Sequence, residues 1–197
     1  DLIPNALYDV SEWRNTAGLG WQAFPKTKLY VSFLHGISMN ETNLDIMKEQ
    51  PDSDFFGTHV SAFGNFTEKL KGRVMLGYQT RQFDSQKNEV QESPSSNLIV
   101  LMALDYITTP KRTFTLDYTH SGVVSAMNPA SAVVSDFIRF KVNQRIGTTG
   151  KLKATLESTY SLYTYQTRDP FQFSYFFLNA EVSYSFNQWL KSSLRYD

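Results

Sequence analysis

Between residues 136 and 163, two runs alternate apolar and polar side chains around a four-residue polar turn. In the first run Ile138, Phe140, Val142 and Ile146 fall on one face, and Arg139, Lys141, Asn143 and Arg145 on the other. Gly147-Thr148-Thr149-Gly150 then reverses the chain. In the second run Leu152, Ala154, Leu156, Tyr160 and Leu162 oppose Lys151, Lys153, Thr155, Glu157 and Thr159. Period-two alternation is what a strand needs when one face meets apolar material and the other meets water. Each run is longer than the ~5–6 residues of an ordinary globular strand and reaches the ~9–11 that cross a bilayer at a tilt. The pattern therefore predicts a long antiparallel hairpin whose apolar face packs on either a protein core or lipid.

Composition narrows the choice. Charged residues make up 19% of the 197, below the ~25% of soluble domains. Aromatic residues reach 15%, with 15 Phe, 11 Tyr and 3 Trp. No apolar run approaches the ~18 residues of a transmembrane helix, a test that a membrane β-barrel escapes because half its residues face a wet interior. Nineteen basic residues balance nineteen acidic ones, which argues against nucleic acid as a partner. The absence of cysteine excludes disulfides and thiolate metal or redox sites.

The same alternation recurs along the chain. Residues 1–27 read as an irregular N-terminal segment, loop-like or plug-like, with room for one short strand. Strands are expected over 28–40, 54–67, 73–83, 97–108, 113–120, 136–146, 151–163, 172–186 and from 190 onward, so 28–197 reads as one up-and-down antiparallel sheet. The polar segment 41–53 has room for a helical turn near 43–49. Connections after residues 67, 108, 146 and 186 are short, and those after 40, 83, 120 and 164 are longer. An up-and-down sheet with that alternation carries its short turns at one end and its long loops at the other, as transmembrane barrels do. Tyr106, Phe114, Tyr184, Phe186 and Trp189 cluster near the short-turn end, where an interfacial aromatic girdle is expected.

The run from Ala180 to Tyr196, AEVSYSFNQWLKSSLRY, resembles the repeating hairpin of bacterial outer-membrane β-barrel porin families, including barrels linked to exopolysaccharide export. In those families a strand ending in Tyr-x-Phe is followed by Asn-x-Trp-Leu and a strand ending in Arg-Tyr. The resemblance extends loosely, as pattern, over 28–197. It implies an all-β, antiparallel, up-and-down transmembrane barrel in the outer membrane. The implied role is a passive pore for small solutes or an exported polymer. It also implies lipid and lipopolysaccharide as surroundings, and envelope proteins or a second copy as partners. Two other roles fit the pattern: a non-conducting barrel subunit that scaffolds an envelope complex, and a soluble lipocalin-like carrier. Nine strands counted from Lys28 leave an odd number, whereas single-chain bacterial barrels have even counts. Either residues 5–19 add a tenth strand or sequence follows Asp197, and the second is the expectation.

If the apolar faces meet lipid, the opposite faces line an interior. That set contains Arg73, Arg81, Asp105, Asp117, Arg139, Lys141, Arg145, Lys153, Glu157 and Glu181, together with Lys151, Lys191 and Arg195. Nine basic residues against four acidic ones suggest a mild preference for anions or acidic polymers. Pairing of these charges across neighbouring strands is the structural alternative. Tyr163, Phe171, Phe173, Tyr175 and Phe177 fall on the same face as an aromatic track. No catalytic, cofactor or metal set is expected. His35, His59 and His120 lack ligand spacing, and His120 and Ser121, being adjacent, point to opposite faces, a poor geometry for a dyad that favours a rim histidine.

Overall fold

A computed structural model of the chain describes residues 9–41, 52–83, 95–124, 132–166 and 171–196. Ten strands follow in order: β1 Asp9–Phe24, β2 Thr27–Glu41, β3 Ser53–Asn65, β4 Leu70–Phe83, β5 Ser95–Thr109, β6 Arg112–Val124, β7 Ala132–Ile146, β8 Leu152–Gln166, β9 Phe171–Ser185 and β10 Lys191–Tyr196. Each pairs antiparallel with its sequence neighbours in one sheet ordered β1 to β10. The sheet is open, with β1 and β10 at its two edges. β10 covers only the Ala180–Ser185 part of β9.

β1 to β9 run for 13 to 16 residues, several more than a hydrocarbon crossing needs. The strands therefore continue past any apolar zone, and the sequence hides this. Residues 121–135 lose their alternation and read as a loop, yet Ser121 pairs with Ser135 and Val124 with Ala132. Backbone pairing persists there because it needs no apolar face. The reading of 1–27 as irregular gives way in the same manner. Residues 9–24 form the full-length strand β1, registered with β2 from Asp9↔Glu41 to Trp21↔Leu29. Gly18 and Gly20 interrupt its inner face, and a Cβ at Gly20 would collide with the Tyr30 ring that lies over it. The strand count thus reaches ten, and the sheet nevertheless stays open. Residues 43–49 lie outside the described residues.

Turns joining β1–β2, β3–β4, β5–β6, β7–β8 and β9–β10 gather at one end of the sheet. Thr67 Oγ1 accepts the Leu70 amide at 2.9 Å, and Asn187 Oδ1 accepts those of Trp189 and Leu190 at 2.8 Å. These short polar side chains satisfy turn amides locally. The β7–β8 turn uses Gly147 and Gly150 at φ +78° and +63°, a region that favours glycine. At the other end the connections span 42–52, 84–94, 125–131 and 167–170. The strict alternation of short and long does not survive at the last of these. The extension of β8 and β9 reduces it to four residues.

Register fixes two faces. Leu34, Phe55, His59, Val133, Ser161 and Ser183 are buried, and all lie on the face that carries Arg139 and Lys141. Its greater burial marks that face as the inner one. The exposed apolar residues lie mainly on the opposite, outer face, among them Leu19, Val60, Leu76, Phe140, Leu156 and Leu178.

Candidate functional site: an inner wall of charge and aromatic rings

The outer face forms a band. Along β9 its outward positions run Tyr184, Val182, Ala180, Leu178 and Phe176, then turn polar at Ser174 and Gln172. Along β4 they run Leu70, Gly72, Val74, Leu76 and Tyr78, then Thr80. Along β6 they run Phe114, Leu116 and Tyr118, then His120. Trp21, Tyr106, Phe114 and Tyr184 edge the band on the short-turn side. Phe56, Tyr78, Tyr118, Tyr160 and Phe176 edge it on the other, a second girdle that the sequence reading did not separate from the apolar stripe. Tyr184 and Phe176 stand eight residues apart, about 27 Å along a strand at ~3.4 Å per residue. A tilt of 35–45° leaves about 20 Å of height between the rings, close to the ~25 Å apolar band of membrane barrels. Within the band the outward positions carry no Asp, Glu, Lys or Arg, and His35 stacks on Phe56 at 4.8 Å. Just past the second girdle Asp136 accepts the Tyr118 hydroxyl at 2.9 Å and lies 2.8 Å from His120 Nδ1.

Register puts every member of the expected set except Lys151, which lies in the β7–β8 turn, on the inner face. Arg73 opposes Ala103, which opposes Asp117, which opposes Arg139. Lys141 opposes Glu157, Arg145 opposes Lys153, and Thr155 opposes Glu181. Pairing then consumes part of the charge. Arg139 Nη2 lies 2.7 Å from Asp117, Lys141 lies 3.0 Å from Glu157, and Lys191 lies 3.7 Å from Glu181. Thr115 donates to Asp105 at 2.6 Å, and Arg81 donates to Ser53 at 2.8 Å. Arg73, Arg145 and Lys153 form no ion pair with a described residue, and with Lys71 they place surplus basic charge toward the short-turn end. Lys151 departs from the interior set. Its ammonium donates to the Phe186 carbonyl at 3.2 Å, at the rim.

Three parts of the wall escaped the sequence. Glu12 and Arg14 enter through β1, with Glu12 at 4.0 Å from Arg81. Phe55 is fully buried on the inner face, in space left by Gly36, where a Cβ would collide with its ring. Tyr165, which alternates with Tyr163 and could have been read from that spacing, continues the aromatic track. The track itself is contiguous. Tyr163 stacks on Phe173 at 4.9 Å and Tyr165 on Phe171 at 4.3 Å. Phe173 meets Tyr175 edge-on at 5.2 Å, and Tyr175 meets Phe177 at 6.2 Å.

A meander of membrane-crossing strand length, apolar on one face and charged on the other, has the pattern of a membrane β-barrel wall. One family profile matches residues 3–197, that of the family described as "Putative beta-barrel porin 2". The chain belongs to that family. No curated protein and no solved structure matches it. Membership in a β-barrel porin family accords with the band between the two girdles.

Proposed function

We propose that this porin-family barrel lies in a bacterial outer membrane and acts as a passive pore for small solutes or an exported polymer, with a mild preference for anionic cargo. The observation that carries this reading is the segregation of charge. The interior charges share one face across nine strands, and the outer band between the girdles holds none. A wall built only for stability has no need of ionised groups on its inner face, since unpaired charge there must remain hydrated. The anion preference rests on Arg73, Arg145 and Lys153. Lipid, lipopolysaccharide and neighbouring envelope proteins are its expected surroundings.

A second reading, a non-conducting barrel subunit that seats envelope partners, draws on Phe55. Its buried ring lies between Arg14 of β1 and Arg81 of β4 on the inner face. Planar-bilayer recording separates the two. The pore reading expects ohmic conductance with a reversal potential on the anion side. Folded protein that never conducts supports the scaffold reading, and cation selectivity overturns the anion preference.

A further inference from the structure

We propose that the six-ring ladder on the inner face of β8 and β9 is a stacking surface for a linear oligosaccharide, an inference that deepens the pore reading and rests on it. Phe171, Phe173, Tyr175 and Phe177 occupy successive inner positions of β9, and Tyr163 and Tyr165 sit directly across from Phe173 and Phe171. At ~3.3 Å per residue the β9 rings extend over about 20 Å, the reach of a chain of sugar units and well beyond a single one. On the same face Phe55 is 0% exposed, whereas Phe171, Tyr175 and Phe177, on the stretch of β9 that β10 leaves uncovered, are 52%, 49% and 61% exposed.

Hydroxyls flank the rings. Thr159 opposes Phe177 and Ser135 opposes Tyr163. A sugar ring presents an apolar C–H face and a rim of hydroxyls, so rings beside hydroxyls match both of its surfaces. An acyl chain matches only the rings, and a small inorganic anion only the polar rim. The ladder lies on the long-loop half of the wall, while Arg145 and Lys153 lie on the short-turn half. A glycan therefore meets the rings at one end of the barrel and basic charge at the other.

Calorimetric titration of the folded, detergent-solubilised protein tests the ladder whether or not the channel conducts. The probes are a β-linked glucose hexamer, a uronic acid hexamer and a hexadeoxynucleotide. At least one hexasaccharide is expected to bind. Phe173→Ala combined with Tyr175→Ala is expected to weaken it roughly tenfold or more, as loss of stacking partners does. Phe176→Ala, on the outer face of the same strand, should leave the affinity unchanged. Heat-modifiable gel migration confirms that each variant is folded. If the double variant does not fold, Phe177→Ala alone gives the same comparison. Binding of neither hexasaccharide, equal binding by the ladder variants, or tighter binding of the hexanucleotide overturns the proposal. Absence of conductance with hexasaccharide binding intact overturns the pore reading alone.

Discussion

Arg81 holds its guanidinium carbon 4.5 Å from the centroid of the Phe55 ring. Arg14 approaches the same ring at 5.7 Å. A ring with no exposure under a guanidinium is a desolvated cation–π contact, stronger than its surface counterpart. Phe55→Ala removes the ring and leaves a cavity, so a loss of about 3–5 kcal/mol is expected. Phe56→Ala, one residue along and facing outward, should cost less than half as much. Urea titration of the folded fraction in liposomes measures both, and the reverse ranking would contradict the assignment of inner and outer faces.

Leu156 lies midway up β8 on the outer face, 49% exposed. Leu156→Arg is expected to cost about 2–4 kcal/mol in a bilayer, and Thr80→Arg, beyond the second girdle, about 0–1 kcal/mol. Folding equilibria in vesicles report this depth dependence. Equal costs at the two positions would remove the apolar band from the bilayer.

The Arg139–Asp117 pair is part-exposed, at 40% and 17% for the two side chains. A double-mutant cycle with Arg139→Gln and Asp117→Asn should give a coupling of about 0.5–1 kcal/mol. The channel record should respond more clearly. Asp117→Asn is expected to move the reversal potential further toward anions, and Arg145→Gln with Lys153→Gln to move it back. Indifference of the reversal potential to both would detach these residues from the conduction path.

Gly147 sits at φ +78° with open space around it, so only backbone conformation resists a side chain there. Gly147→Ala should cost about 1–2 kcal/mol. Gly147→Asn should cost less, because asparagine tolerates the left-handed region. Comparison of urea midpoints for the two variants checks the ranking.

Single-tryptophan variants probe the two girdles. Trp21 and Trp189 lie at the short-turn side and Trp13 toward the long-loop end, with 51%, 86% and 54% exposure. Lipids brominated near the headgroup should quench Trp21 more than lipids brominated at the chain terminus, because amphipathic rings favour the interface. Stronger quenching by deeply brominated lipid would place Trp21 inside the band.

The outer band was legible because each apolar residue there answers to one partner, the apolar surroundings, and alternation alone reports it. Ile138, Phe140 and Val142 needed no tertiary information. That the charges share one face was legible in the alternation, but their pairing was not. Arg139 and Asp117 are joined by the register of β6 with β7, which a connection over 125–131 obscures. β1 was missed because Gly18 and Gly20 look like loop residues until Tyr30 is seen across the sheet. Strand ends such as Ser121 and Ser135 were missed because hydrogen-bond pairing outlasts the apolar pattern that announces it.

Every strand pairs only with its neighbours in sequence, and the short turns are fastened one to the next. Lys111 Nζ donates to the Gly147 carbonyl at 2.8 Å, and Lys151 Nζ to that of Phe186 at 3.2 Å. Such an arrangement is modular. A whole hairpin can be duplicated or lost by an in-frame change, with its neighbours closing on one another through the same antiparallel pairing. Barrel girth grows roughly in proportion to strand number. Related chains could thus acquire wider or narrower bores in two-strand increments while each remaining hairpin keeps its inward charges and outward apolar band.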